Sequence, residues 1–137
     1  MHTYSELMVA LPEKFIEAKV ARLATVGDDA QPHLVPVVFA VWQNAVVTAV
    51  DGKPKSTTKL RRLRNITANP KVSLLVDHYD EDWTQLWWIR VDGRATISEN
   101  NEALHALRAK YAQYQQVPLD GPVIEISVES TRTWGLG

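Results

Sequence analysis

Between Asp51 and Ile66 the chain gathers Lys53, Lys55, Lys59, Arg61, Arg62 and Arg64, six of its fifteen basic side chains. Thr57 and Thr58 stand where a helix is predicted to start. A helix N-terminus carries unpaired N–H groups and the positive end of the helix dipole. With hydroxyls and ammonium groups added, such a terminus suits a phosphate or another multiply charged anion. The same composition also describes a solvated basic helix face. Other chemistries find less support. His2, His33, His78 and His105 are scattered without ligand spacing. His33 lies in a predicted strand, as a proton donor or as a structural histidine. Asp80-Glu81-Asp82 reads as an exposed acidic loop in preference to a metal site. Serine occurs without the strained turn that exposes a nucleophile.

The balance of the chain narrows the partner classes. Its 137 residues predict a single domain, 1–137, and 45% hydrophobic content suits a globular core. The net charge of −1 makes the basic stretch a local feature and argues against a general nucleic-acid binder. The stretch also lacks the interleaved aromatics of a single-strand binder. There is no cysteine, which excludes a disulfide framework, thiolate catalysis and zinc–thiolate ligation. No signal-peptide pattern is seen, and a soluble, cytoplasmic protein is expected. Gln31 to Val50 carries no charged residue, but it contains Pro32, His33, Pro36 and a central Gln43-Asn44. That pattern reads as two buried strands and a turn, with no membrane span.

The elements that position the basic stretch follow from periodicity. Thr3 to Glu6 fits a capping box ahead of an apolar stripe of Leu7, Leu11, Phe15 and Ala18. Strands are predicted at Val20–Val26, Pro32–Trp42, Asn44–Val50, Lys71–Asp77, Leu86–Ser98 and Pro122–Glu129. Pro32–Trp42 is apolar on both faces, so both require cover, the second by another chain. Pro36 indicates a bulge or an edge, and Gly93 a bulge or a close backbone approach. Helices are predicted near the N-terminus, from about Thr58 to Ala68, and after Ser98 as cap. Leu60, Leu63 and Ile66 form the inner stripe of the second, with Arg61 and Arg64 toward water. Leu104, Leu107, Tyr111 and Tyr114 form that of the third. Thr131 to Gly137 is read as a tail. The fold class is mainly β (α+β): a six-stranded antiparallel barrel with about three flanking helices.

The order of these motifs resembles a known family. It runs from Ala-Arg-Leu-Ala-Thr-Val to Gln-Pro-His-Leu-Val-Pro-Val, then Lys-Pro-Lys-Ser-Thr-Thr-Lys-Leu, Arg-Asn-Ile, Asn-Pro-Lys-Val-Ser-Leu-Leu-Val-Asp and Val-Asp-Gly-Arg-Ala-Thr-Ile. The chain is similar, over roughly Leu11 to Gly135, to the split-barrel flavin-binding superfamily of pyridoxamine 5′-phosphate oxidase. Within it, the chain looks most like the short actinobacterial branch of coenzyme F420-dependent oxidoreductases. The resemblance implies a homodimer with cofactor sites at the subunit interface. It implies that Lys55, Ser56, Thr57, Thr58, Lys59 and Arg62, with Asn65 one turn on, hold the cofactor's anionic part. It places the ring on Leu34, Val35, Pro36, Val37 and Val50. It assigns closure by a partner subunit to aromatic or basic residues, for which Trp83, Trp87, Trp88, Arg132 and Trp134 are candidates. The substrate-phosphate motif of the vitamin B6 oxidase is missing, so oxidation of pyridoxamine phosphate is not expected.

F420 carries a phosphate and a polyglutamate tail, and six basic residues exceed the need of one FMN phosphate. The expected activity is hydride transfer between F420 and a small conjugated or quinone-like substrate. An FMN-dependent oxidoreductase and a non-catalytic F420 carrier are the alternatives. The cofactor supplies the hydride chemistry, so no acid–base pair is required of the chain.

Overall fold

The computed structural model describes residues 10–49, 57–119 and 121–136, with the side chains of residues 57–60 outside the description. The predicted N-terminal capping box, Val50, Lys53, Lys55 and Ser56 therefore lie outside the described residues. The elements are α1 (Glu13–Glu17), β1 (Ala21–Val26), β2 (Pro32–Val37), β3 (Ala40–Trp42), β4 (Ala45–Ala49), α2 (Thr57–Ala68), β5 (Lys71–His78), β6 (Trp87–Ser98), α3 (Asn101–Lys110) and β7 (Val123–Trp134). Single 3-10 turns precede β6 and follow α3. All seven strands form one antiparallel sheet in the order β2-β1-β5-β6-β7-β4-β3.

The predicted strand Pro32–Trp42 is two strands, which raises the count from six to seven. β2 pairs with β1 and β3 pairs with β4, so the two halves occupy opposite edges of the sheet. Only Val38 and Phe39 join them. Three residue steps reach no more than about 11 Å. The sheet must therefore curl until its edges nearly meet, leaving a barrel split between β2 and β3. The two-sided apolar pattern has this origin. Val37, Phe39 and Ala40 are buried, while Leu34 is 66% exposed. Leu34 and Pro36 keep an exposed apolar surface on the outer face of β2.

Phe39 sits at the crossover with no ladder partner of its own, yet it is fully buried. Its ring lies 5.0 Å from that of Phe15. Its backbone is satisfied by a side chain far along the sequence. The Tyr111 hydroxyl accepts from Phe39 N–H at 3.1 Å and lies 2.9 Å from the carbonyls of both Phe39 and Lys19, to one of which it donates its proton. Buried backbone groups require such partners.

The other elements follow their local chemistry. Gln43 and Asn44, at φ 49° and 64°, form the two-residue turn between β3 and β4, a geometry that matches strand twist. Gly93 interrupts the β6–β7 register as expected. A Cβ there would meet Ser127 O at 2.2 Å, so the two backbones approach too closely for any side chain. Asn100, and not Ser98, caps α3, accepting from Glu102 N and Ala103 N. The segment read as a tail is the end of β7, which stays paired with β6 as far as Trp134.

The core has two lobes. One fills the barrel with Phe15, Leu23, Phe39, Leu74, Ile89 and Ile126. The other lies under α3, with Val47, Leu104, Leu107, Tyr111, Leu119 and Val123. Tyr111→Phe leaves the Phe39 amide without its acceptor inside the protein. Stability is expected to fall by about 1–3 kcal/mol, read as an unchanged urea m-value with a lower midpoint.

Candidate functional site

Helix α2 packs on β1 and β6. Its inner face is not the apolar stripe alone. Ile66 is buried and Leu63 packs on the barrel core, but Arg62 and Asn65 are also buried, 8% and 3% exposed. The helix thus presses a charged and an amide side chain onto the sheet. Asn65 Nδ2 donates to Thr25 Oγ1 on β1 at 3.0 Å. Asn65 Oδ1 accepts from Arg61 Nε at 3.1 Å. Gly27 permits this approach, since a Cβ there would stand 2.5 Å from Asn65 Oδ1. Arg61 continues to Asp29 Oδ2 at 2.9 Å. Arg61 was expected to face water; it is half-buried and held at both ends because Asn65 lies one turn along the same helix face.

Strand β2 brings His33 beside this cluster. Its Nδ1 is buried and meets no hydrogen-bond partner among the described residues. Burial, with the charges of Arg61 and Arg62, holds the imidazole below its ordinary pKa. It is therefore neutral near pH 7, able to accept a proton. Asp29 is held below the usual carboxylate range by the Gln31 N–H first, and also by Arg61.

The residues assigned to the cofactor's anionic part divide. Thr57 opens α2, with Thr58 and Lys59 next, so the helix starts where the hydroxyls stand; Arg62 and Asn65 follow inward. Asn65 spends its oxygen and one amide proton on protein partners and acts as a support for Arg61. The strand residues divide as well. Leu34 and Pro36 are exposed, and Val35 and Val37 point into the barrel. Prolines fit a ladder where the missing N–H faces away from the partner. Pro32 and Pro36 thereby assign the N–H positions of 32, 34 and 36 to the open edge of β2, where only Leu34 has a donor.

Trp88, Arg132 and Trp134 do not join this cluster. Trp88 stands across from Trp134, and Arg90 from Arg132, on the outward face of β6 and β7. Arg90 is clasped by Asp92, at 3.0 Å from Nε. Trp87 points the other way, stacked on His78 with Lys14 over its ring at 5.0 Å. Trp83 is exposed. Asp80 and Asp82 build their own turn, accepting from Asp82 N and Thr84 N, and no group of three metal-ligating side chains occurs among the described residues. No helix there is long and apolar enough to cross a membrane. Thr25, Gly27 and Asp29 went unnoticed in the sequence because Asn65 meets Thr25 across 40 positions.

The sequence model of the pyridoxamine 5′-phosphate oxidase family matches residues 9–135. No curated protein matches. Among solved structures, the conserved hypothetical protein Rv2991 from Mycobacterium tuberculosis is 25% identical, with 92% of this chain and 86% of that one covered and a TM-score of 0.68. A heme binding protein from Mycobacterium smegmatis is 20% identical at TM-score 0.67, covering 93% of this chain and 56% of that one. HutZ, the heme storage protein from Vibrio cholerae, is 16% identical at TM-score 0.67, covering 98% and 94%. The last two share the fold.

Two outcomes check the cluster. Asn65→Ala removes the bond to buried Thr25 and the brace on Arg61, and is expected to cost about 1–3 kcal/mol in chemical denaturation. In NMR titration, His33 is expected to protonate below the ordinary imidazole value of 6.5. Its midpoint should move up in Arg61→Gln. With the folded pKa depressed, His33 contributes least to stability at acid pH, where the folded state must charge it, and that loss develops as pH falls below 6.5.

Proposed function

The chain belongs to the pyridoxamine 5′-phosphate oxidase family, and from that premise we propose that it binds coenzyme F420 and transfers a hydride between it and a small conjugated or quinone-like substrate. One observation carries the reading: Arg62 is buried on a helix that opens at Thr57-Thr58, with Arg61 braced beside it and a neutral histidine facing both. Such a wall suits an extended polyanion. Lys55, Ser56 and Lys59 precede it in sequence. The outward apolar surface of Leu34 and Pro36, next to the Leu34 amide, suits one face of a planar ring, with Val35 and Val37 as its support from inside.

A bound deazaflavin supplies the hydride chemistry. The chain binds its anionic end through Arg62 and the start of α2, orients the ring on β2, and holds a proton-accepting imidazole at His33. We further assign closure of the site to a second copy in a homodimer. Trp88, Trp134 and Arg132 form an outward patch apart from the α2 cluster, and Trp134 is 52% exposed, as residues that serve a neighbouring subunit would be.

Two other readings remain as outcomes of one experiment. FMN would use the same anion wall for a single phosphate. Heme is what two of the structurally similar proteins are named for, and half-buried His33 is the residue here that such a ligand would require. Purified protein is titrated with F420, FMN and hemin, followed by absorbance and fluorescence. F420 is expected to bind at least tenfold tighter than FMN, with no stoichiometric Soret shift. Tight FMN binding without F420 binding overturns the F420 reading, and a stoichiometric Soret shift replaces it with heme. Arg62→Met is expected to weaken F420 binding ten- to hundredfold, about 1.4–2.7 kcal/mol. Turnover of reduced F420 with a quinone panel separates an enzyme from a carrier.

A further inference from the structure

A cleft lies where α3 and its following 3-10 turn meet the β2–β3 crossover. It holds about 720 Å³ and shares no lining residue with the α2 cluster. Its apolar walls are Val20, Val38 and Val117, and Tyr111 and Tyr114 line it with their rings at 6.1 Å and nearly perpendicular. Lys19 and Lys110 line it, and their ammonium groups lie 5.5 and 5.4 Å from the centre of the Tyr111 ring. Neither pairs with a carboxylate among the described residues. Lys110 donates to the Ile16 carbonyl at 3.0 Å and lies 3.9 Å from the centre of the Phe39 ring. Lys19 donates to the Lys110 carbonyl at 3.4 Å and lies over the Tyr111 ring at 5.5 Å.

Among the described residues, two like charges held this way are compensated by carbonyl dipoles and ring faces. Burial first, and then Lys19, lowers the Lys110 pKa to about 8. Tyr111, the other titratable group in contact with both lysines, is raised by burial and stays protonated. A single negative charge between the two ammonium groups would relieve their repulsion, while a flat apolar body would meet the valines and tyrosines. Phosphate alone would leave the apolar walls unfilled, and a neutral ring would leave the charges unanswered.

We propose that this cleft binds a small planar carboxylate, such as an aryl or enoic acid, with the carboxylate bridging Lys19 and Lys110 and the ring between Tyr114 and Val38. Binding there requires no cofactor, so the assignment stands apart from the hydride-transfer reading. The buried Tyr111 hydroxyl, locked to Phe39, makes the floor rigid, which limits the ordering cost of binding.

The probe is 2-naphthoate against its uncharged isostere 2-naphthamide, followed by ligand fluorescence and saturation-transfer NMR on the full chain. Naphthoate is expected to bind at least tenfold tighter than the amide. Lys19→Met and Lys110→Met are each expected to lose at least tenfold in naphthoate affinity, and Arg62→Met to lose none. Equal binding of acid and amide overturns the proposal, as does undiminished binding in both lysine variants. Loss in Arg62→Met would place the probe at α2 and also overturn it. Should Lys110→Met fail to fold, the wild-type chain decides. Naphthoate is expected to move the Lys110 Nζ titration midpoint upward from about 8, and an unmoved midpoint overturns the assignment.

Discussion

The two-residue crossover at Val38–Phe39 governs this molecule. The chain leaves one edge of a seven-stranded sheet and enters the opposite edge without an intervening loop. A flat sheet cannot accommodate that step, since its outer strands lie roughly 4.8 Å times six apart. Curling is therefore imposed by connectivity, and the barrel interior follows from it. The step also strands the polar backbone of a fully buried phenylalanine, which Tyr111 then serves from beyond α3. One hydroxyl thus ties the helix-covered lobe of the core to the barrel lobe, and Phe15 completes the contact from α1.

The same closure shapes the candidate site. With β2 confined to an edge, Leu34 and Pro36 face outward and the strand keeps an open side. Helix α2, arriving after β4, is set against β1 by a polar clamp. Asn65, Thr25 and Arg61 form a connected set of hydrogen bonds, with Asp29 at its outer end. Buried polar networks of this kind fix orientation when each member is satisfied. Here the fixed object is the guanidinium of Arg61, with Arg62 buried next to it on the helix. Gly27 is the backbone concession that lets the helix come so close.

Much of this was legible locally. The strand positions at β1, β4, β5 and β6 follow from alternation, and the start and end of α2 from Thr57 and Asn69-Pro70. Leu104 and Leu107 stand buried as their helical spacing requires. Gly93 was readable as an irregularity because nothing else explains a glycine inside an alternating run. The split of Pro32–Trp42 was not legible, since a strand that changes sheet edge and a strand buried on both faces share the same apolar spelling. Continuation of β7 to Trp134 was hidden by Ser130, Thr131 and Thr133, whose polarity marks a solvent-facing strand as readily as a tail.

What the sequence determined alone was composition at short range: where the basic charge gathers, which segments alternate, which residue types could bind an anion. These depend on neighbours within a few positions, and periodicity reports them. Only the tertiary structure decided which charges are exposed and which are held. Arg61 and Arg62 are adjacent and chemically alike, yet one reaches outward to Asp29 and the other lies buried. Lys19 and Lys110 share a cleft across 91 positions. The reason is physical: burial and Coulomb coupling act over ångströms in space, and the crossover at Phe39, which brings those distances about, leaves no periodic mark in the chain.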